Sequence, residues 1–364
     1  MNKTSLTIAL FLAACIGECQ SKSTMDFESY NPPSTLVVPQ HVVTKAKFPF
    51  IDIHNHQYNM SSQNLNSLVK IMDTLNMAVM NNLSGSYGKN LKQSVDNIKA
   101  NAPKRFTVFA NINFDGIGES NWTENAVKQL EQDIRNGASG LKIFKNLGLS
   151  VKDNKGNRVT VDDERLDAIW KKCGELKIPV LIHTADPKPF WAPLDKNNER
   201  WLELITNPGR KRSDTDPAPW QQLIDEQHRV FKKHPGTTFI AAHFGWYAND
   251  LEKLSMLLDD MQNVYVEFGA VIAELGRQPI AANAFFTKYQ DRILFGKDSW
   301  MPEEYTTYFR VLETKDEYFP YHKKYHAFWR MYGMGLPDEI LKKVYYKNAL
   351  RLLPSVDKSL FPSD

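Results

Sequence analysis

Eight short runs rich in β-branched and aromatic residues, each followed by a stretch with helical spacing, constrain the fold of this chain more than any other feature. They are FIDIHNH, MAVMNNL, RFTVFANINF, GLKIFKN, PVLIHTA, TTFIAAHFG, NVYVEFGA and RILFGKDS. Between them the apolar residues fall three or four apart, as in Leu251, Leu254, Leu258 and Met261. Another such stretch, Trp220, Leu223, Ile224 and Phe231, runs into Pro235-Gly236, a stop for a helix. Strands alternating with helices imply parallel βαβ units, and eight of them imply a single (β/α)8 barrel of the α/β class. The barrel is expected over 48–354, with 355–364 as a tail. Two strand-to-helix connections are unusually long, Asp186 to Pro219 after the fifth strand and Met301 to Leu336 after the eighth. In a barrel such connections build the active-site face.

The first residues carry a different signal. MNKTSLTIALFLAAC has one lysine and an apolar run from Leu6 to Ala14, too short to span a bilayer. It reads as a signal peptide over 1–14. Its end, Leu12-Ala13-Ala14-Cys15, resembles a bacterial lipobox, which makes Cys15 the expected lipidation site and 15–47 a polar tether. The alternative is ordinary signal cleavage and a soluble secreted protein. The expected location is the bacterial cell envelope, with membrane contact through the lipid alone. The formal net charge of +3 is nearly balanced, and the short clusters GRKR and HKK make no basic stripe, so nucleic acid is not an expected partner. Of three cysteines, Cys173 falls at helical spacing with Leu166, Ile169, Trp170 and Leu176 and is expected in the core.

The histidines give the chemistry. On a strand, residues two apart share a face, so Asp52, His54 and His56 point one way and Ile51 and Ile53 the other. An isolated pair of this kind can also be a wetted strand end. However, His183 closes PVLIH, His243 closes FIAAH and Asp298 closes ILFGKD. A barrel brings these strand ends to one rim whatever their separation in sequence. Four histidines and a carboxylate converging there form a ligand set for zinc or a similar divalent ion.

FIDIHNH, VLIHTADP, FIAAHFGW and ILFGKDSW resemble, in order, the first, fifth, sixth and eighth strand motifs of the amidohydrolase superfamily. The amidohydrolase-related branch, which contains hydrolases and decarboxylases, is the most similar. The resemblance covers about 48–354 and ends in VYYKNALRLL, which is similar to that branch's closing helix. It implies that His54, His56 and His183 bind metal, one or two ions, with zinc first and manganese as the alternative. Asp298 would be a ligand or the group that manages the proton of the attacking water. His243 would ligate a second metal, or polarise substrate and act as acid and base.

In GLKIFKN, alternation turns Lys142 into the lumen, where lost solvation lowers its pKa. In superfamily members with a lysine here, a carbamate bridges two metals. The alternative is an ammonium pairing with Asp298, Glu267 or a substrate anion. Lys145 has the opposite parity. Arg277, after the seventh strand, is a candidate to hold a substrate carboxylate, or to pin a loop. Trp191 and Trp300 are candidates to wall the pocket. The expected function is metal-dependent hydrolysis of an amide, ester or lactone in a small, carboxylated substrate. Decarboxylation of an aromatic or unsaturated acid on the same fold is the rival, and a barrel that binds without catalysis is the third reading. A homo-oligomer is compatible with all three.

Overall fold

The computed structural model describes residues 25–26 and 29–363. The expected signal peptide and Cys15 lie outside the described residues. The chain divides into two compact units, Met1–Leu36 and Val37–Asp364. In the first, Ser34 Oγ accepts from Leu36 N at 3.1 Å.

All eight expected strands are present in the second unit: β1 (Phe50–Asn55), β2 (Met77–Asn82), β3 (Phe106–Val108) continued by β4 (Ala110–Asn111), β5 (Leu141–Ile143), β6 (Val180–Ile182), β7 (Phe239–Ala241), β8 (Val264–Glu267) and β9 (Ile293–Leu294). β1, β2 and β3 pair in parallel, as do β4 through β9 in sequence order. At Phe109 the third strand changes partners: Phe109 N donates to Asn82 O, and Ala110 N to Gly140 O, both at 2.9 Å. The last strand returns to the first through Ile53 N to Phe295 O (2.9 Å), Asp298 N to His54 O (2.6 Å) and a parallel bridge between Asn55 and Asp298. This is the expected (β/α)8 architecture.

The helices form where the apolar spacing places them. Helix Leu65–Leu75 buries Leu65, Leu68, Met72 and Leu75; Asn64 caps it by accepting from Ser67 N, and Asn76 ends it in the left-handed region. Helix Leu251–Asp260 buries Leu254, Leu257 and Leu258, and Asp250 caps it by accepting from Lys253 N. Cys173 is fully buried on helix Asp167–Leu176. A cluster of Phe50, Phe295, Tyr305, Phe309 and Tyr345 packs the seam between β9 and β1, with Phe50 and Phe295 centroids 4.7 Å apart.

Three boundaries differ from the sequence reading. Residues 37–47, read as tether, belong to the barrel unit: Ala46 is buried, its N–H donates to Leu75 O, and His41 N donates to Asp316 at 2.7 Å. The segment read as one long loop after the eighth strand contains helix Tyr305–Glu313, which buries Tyr305, Tyr308, Phe309, Val311 and Leu312. A small antiparallel hairpin, Phe319–Pro320 with Arg330–Met331, then follows. Finally, the 355–364 tail is packed in part, with Phe361 stacked on Tyr346 at 5.1 Å.

Candidate metal centre

The C-terminal ends of β1, β6, β7 and β9 bring His54, His56, His183, His243 and Asp298 to one mouth. His54 Nε2 lies 3.2 Å from His56 Nε2, and Asp298 Oδ1 lies 3.4 Å from each. These edges match one face of a tetrahedron around an ion with bonds of about 2.0–2.1 Å, whose edges are about 3.3–3.4 Å.

The hydrogen bonds behind these atoms decide which of them carry protons. The Glu267 carboxylate accepts from His243 N (2.8 Å), from Gly269 N (2.6 Å) and from His54 Nδ1 (2.8 Å). Two of those partners are backbone N–H groups, so Glu267 acts as an acceptor and His54 Nδ1 must carry the proton. His56 Nδ1 likewise faces Ser84 Oγ at 2.8 Å. The His54 Nε2 lone pair therefore points at His56 Nε2 and a carboxylate oxygen, and with Ser84 Oγ accepting from His56 Nδ1 the His56 Nε2 lone pair joins it. In that tautomer three electron-rich atoms face one point, a donor set that fits a divalent metal. The carboxylate–histidine pairing behind the ligands is the usual way a protein fixes the ring and its tautomer.

Burial disfavours the charged form of His54, His183 and His243, and the neutral form is the one that ligates. The same burial pushes His54 and His183 well below the ordinary histidine range and His243 down to about 4, with Lys142 adding to the effect on the first two. Withdrawal from water opposes the charge on Asp298, but His54, His56 and His243 outweigh it and hold the carboxyl well below its usual range.

His243 takes another route into the site. It lies past the end of β7 in a left-handed turn, with φ of 56° at His243, 54° at Phe244 and 61° at Trp246. Its Nδ1 donates to Gly269 O at 2.6 Å, which leaves Nε2 facing His183 Nδ1 at 3.3 Å. His183 Nε2 has no partner among the described residues, as suits a ligand atom. The Trp246 ring stacks on His243 at 4.5 Å. A second group of ligand-type atoms, on His54, His243 and Glu267, also lies within metal-binding distance. Hydrogen bonds already occupy its atoms, so it braces the first group.

Lys142 faces the lumen, as alternation predicts. It is 1% exposed, its Nζ has no hydrogen-bond partner among the described residues, and burial lowers its pKa to about 8 against the pull of Asp298 and Glu267. The softer candidates serve the rim. Arg277 pairs with Glu199 at 2.9 Å and lies 4.0 Å over the Trp329 ring. Trp191 Nε1 donates to Ala218 O at 2.9 Å, and Trp300 packs edge-on against Tyr305 at 5.8 Å.

Two residues, Ser84 and Arg200, and the role of a third, Asp52, escaped the sequence reading. Ser84, at the end of the second run, orients His56. Asp52 joins the first and last strands by accepting from Lys297 N (3.1 Å) and Tyr305 Oη (2.6 Å), and burial raises its pKa to about 6. Arg200, buried in the loop after β6, pairs with Glu203 at 2.8 Å and with Glu274. Parity within the first run already put Asp52 on the ligand face. No periodic signal marked Ser84 or Arg200.

Comparison with protein families matches residues 91–355 to the family described as amidohydrolase. The chain belongs to the amidohydrolase family. Solved structures agree on the fold. A TIM-barrel protein from Bordetella bronchiseptica is 17% identical (TM-score 0.52), with 85% of this chain and 99% of that one covered. A 2,6-dihydroxybenzoate decarboxylase from Rhizobium is 14% identical (TM-score 0.53), with 84% and 99% covered. A dihydroxybenzoic acid decarboxylase from Polaromonas, with bound manganese and 2-nitroresorcinol, is 13% identical (TM-score 0.54), with 86% and 99% covered. Comparison with curated proteins gives no match. This amidohydrolase is an enzyme of a metal-dependent superfamily.

Proposed function

We propose that this amidohydrolase is a hydrolase of amide, ester or lactone bonds, holding zinc or manganese on His54, His56, His183 and Asp298. The observation that carries the reading is the triangle of His54 Nε2, His56 Nε2 and Asp298 Oδ1, with edges of 3.2 to 3.4 Å. When bound, a divalent ion supplies Lewis acidity, lowering the pKa of water toward neutrality and polarising a carbonyl. The Asp298 side chain is a third exposed, against none for Glu267, so it is the carboxylate that water reaches. It accepts the attacking water's proton at Oδ2 and returns it to the leaving group. The Nδ1–H of His243 is held by Gly269 O, so its Nε2 accepts from His183 Nδ1 and fixes the tautomer that leaves His183 Nε2 free to ligate. Glu267 holds the His54 ring by its Nδ1 and His243 by its backbone N–H. At its N-terminus the enzyme is exported and anchored through Cys15.

Decarboxylation is the second reading, favoured by one observation: the buried, unpartnered Nζ of Lys142. An ammonium there would hold a substrate carboxylate, whereas a neutral amine would take up carbon dioxide as a carbamate and bind a second ion. Elemental analysis of wild type and Lys142→Ala, purified with bicarbonate and without chelator, separates the two. Two ions falling to one, together with turnover of lactone or ester probes, support hydrolysis. One ion in both proteins, with carbon dioxide released from a dihydroxybenzoate, would replace it with decarboxylation. No metal in either, after zinc and manganese are supplied, would end both.

A further inference from the structure

Away from the metal centre, two cavities adjoin over the loops that follow β2, β4 and β5. Their volumes are about 240 and 520 Å3, and they share Tyr87, Ile112, Asn113 and Asp115. The larger falls within the usual range for small-molecule sites, about 300–1,000 Å3, but the chemistry of the walls is unlike an ordinary apolar pocket.

A stacked aromatic pair separates the two. Trp122 lines the smaller and Phe114 the larger, with centroids 6.1 Å apart and planes at 18°. Trp122 Nε1 donates to Asn113 O at 3.2 Å, which fixes the pair. Tyr87, 38% exposed, presents a ring to both cavities. Around these rings the smaller cavity is lined by the exposed Asn113, Asn121 and Asn125, whose side-chain NH2 groups donate to nothing among the described residues, while Asn113 Oδ1 accepts from Asp115 N at 3.0 Å. Asp115 and Glu119 have no ion-pair partner among them either. Lys152 is the single cationic side chain on either lining.

These groups select by elimination. An anion would meet the two unpaired carboxylates. An apolar ligand would strip the amides of water and return no hydrogen bonds, which is unfavourable. Asn121 and Asn125 each offer donors and an acceptor, Asn113 its donors, and each carboxylate only acceptors, so the matching ligand is uncharged and rich in groups that both donate and accept. Hydroxyl groups do both. Ring faces bearing C–H groups would suit Tyr87 and Phe114.

We propose that this double cavity binds a neutral saccharide, with sugar rings laid on Tyr87 and Phe114 and hydroxyls held by the amides and carboxylates. The site adjoins the catalytic mouth. Asn111 lines the smaller cavity and is the register partner of Lys142 on the neighbouring strand. Ser86 N donates to Asn111 Oδ1 at 2.7 Å, and Ser84 of the same loop orients His56. A saccharide seated here therefore lies one strand from Lys142. The proposal stands whether the metal centre hydrolyses or decarboxylates.

Calorimetric titration of the metal-loaded full chain with maltotriose, cellotriose, xylotriose and tri-N-acetylchitotriose tests it. At least one of these probes is expected to bind, and Tyr87→Ala and Asn125→Ala, each at an exposed side chain, are expected to weaken it roughly fivefold or more. Unchanged melting temperatures would show that both variants remain folded. The proposal is overturned if none of the four binds at roughly 20 mM, or if binding is equal in wild type and both variants. Displacement of the bound sugar by citrate, a small anion, at equal concentration would also overturn it, because the unpaired carboxylates should reject an anion.

Discussion

The two halves of the barrel mouth are built differently. From β1 to β5 the functional side chains sit on or just beyond regular strand, and alternation alone aims His54, His56 and Lys142 inward. From β6 to β9 every strand runs into a left-handed non-glycine residue: Ala185 (φ 61°), His243 (56°), Ala270 (58°) and Asp298 (83°). In the first half of the rim Ser86, at 63°, is the one such residue in a strand-to-helix loop. Left-handed backbone costs an L-residue roughly 1–2 kcal/mol, and it persists only where surrounding bonds hold it. Strand ends are thus sufficient to aim a ligand, but turning His243 and Asp298 back over the lumen requires strained backbone held by Glu267, Gly269 and His54.

The comparison is tested most severely at Asp298. Asp298→Asn keeps a residue that tolerates the left-handed region but removes the charge, whereas Asp298→Ala loses both. Both are expected to lose bound metal and at least roughly 10³-fold in activity, within the span of catalytic-group losses. Only the alanine variant should also lose stability, by about 1 kcal/mol in a denaturant titration. Equal stability in the two variants would show that the turn is not strained.

Glu267→Gln comes next, because Glu267 serves both halves. Metal affinity should fall roughly 10- to 100-fold, and activity should not recover fully when excess metal is supplied, since the His243 turn also loosens. Full recovery at saturating metal would confine Glu267 to the strand-borne half.

A background outside both halves must be separated from them. His228, on helix Trp220–Lys233, is pushed down to about 4 by burial. Its folded pKa lies below the unfolded value near 6.5, so the unfolded chain binds more protons in that window. The stability it contributes is complete above about pH 6.5 and is lost as pH falls toward 4, a loss on the order of 2 kcal/mol. In thermal melts across this range wild type should lose stability relative to His228→Phe as pH falls, and parallel curves would exclude His228.

The smallest effect is at Ala270, where Ala270→Gly exchanges relief of strain for chain entropy. A net gain of about 0.5 kcal/mol is expected, readable as a small rise in melting temperature. A loss would place Ala270 in the unstrained class.

Sequence made the first half of this mouth legible and left the second partly hidden. Alternation applies while the backbone is extended, so it oriented His54 and Lys142 correctly. It reached His243 and Asp298 only as residues at the ends of runs, because β7 stops at Ala241 and β9 at Leu294 and local turns take over. The eight strands and the capped helices follow from local spacing and were readable. Arg200 and Ser84 owe their roles to contacts between distant loops, which no local pattern encodes. Likewise Arg277 looked equally suited to substrate and to a loop until Glu199 and Trp329 were seen around it.

The room that Glu267 occupies has to be left by other residues. A Cβ on Gly269 would lie 2.8 Å from Glu267 Oε2, and one on Gly296 would overlap the same oxygen. One carboxylate in the lumen thus dictates the absence of side chains at two places, one two residues away and one just past the end of the next strand. This makes a spelling rule that can be searched in raw sequence: a strand ending Glu-x-Gly, followed by one ending Gly-x-Asp, marks a barrel whose first histidine is held from behind.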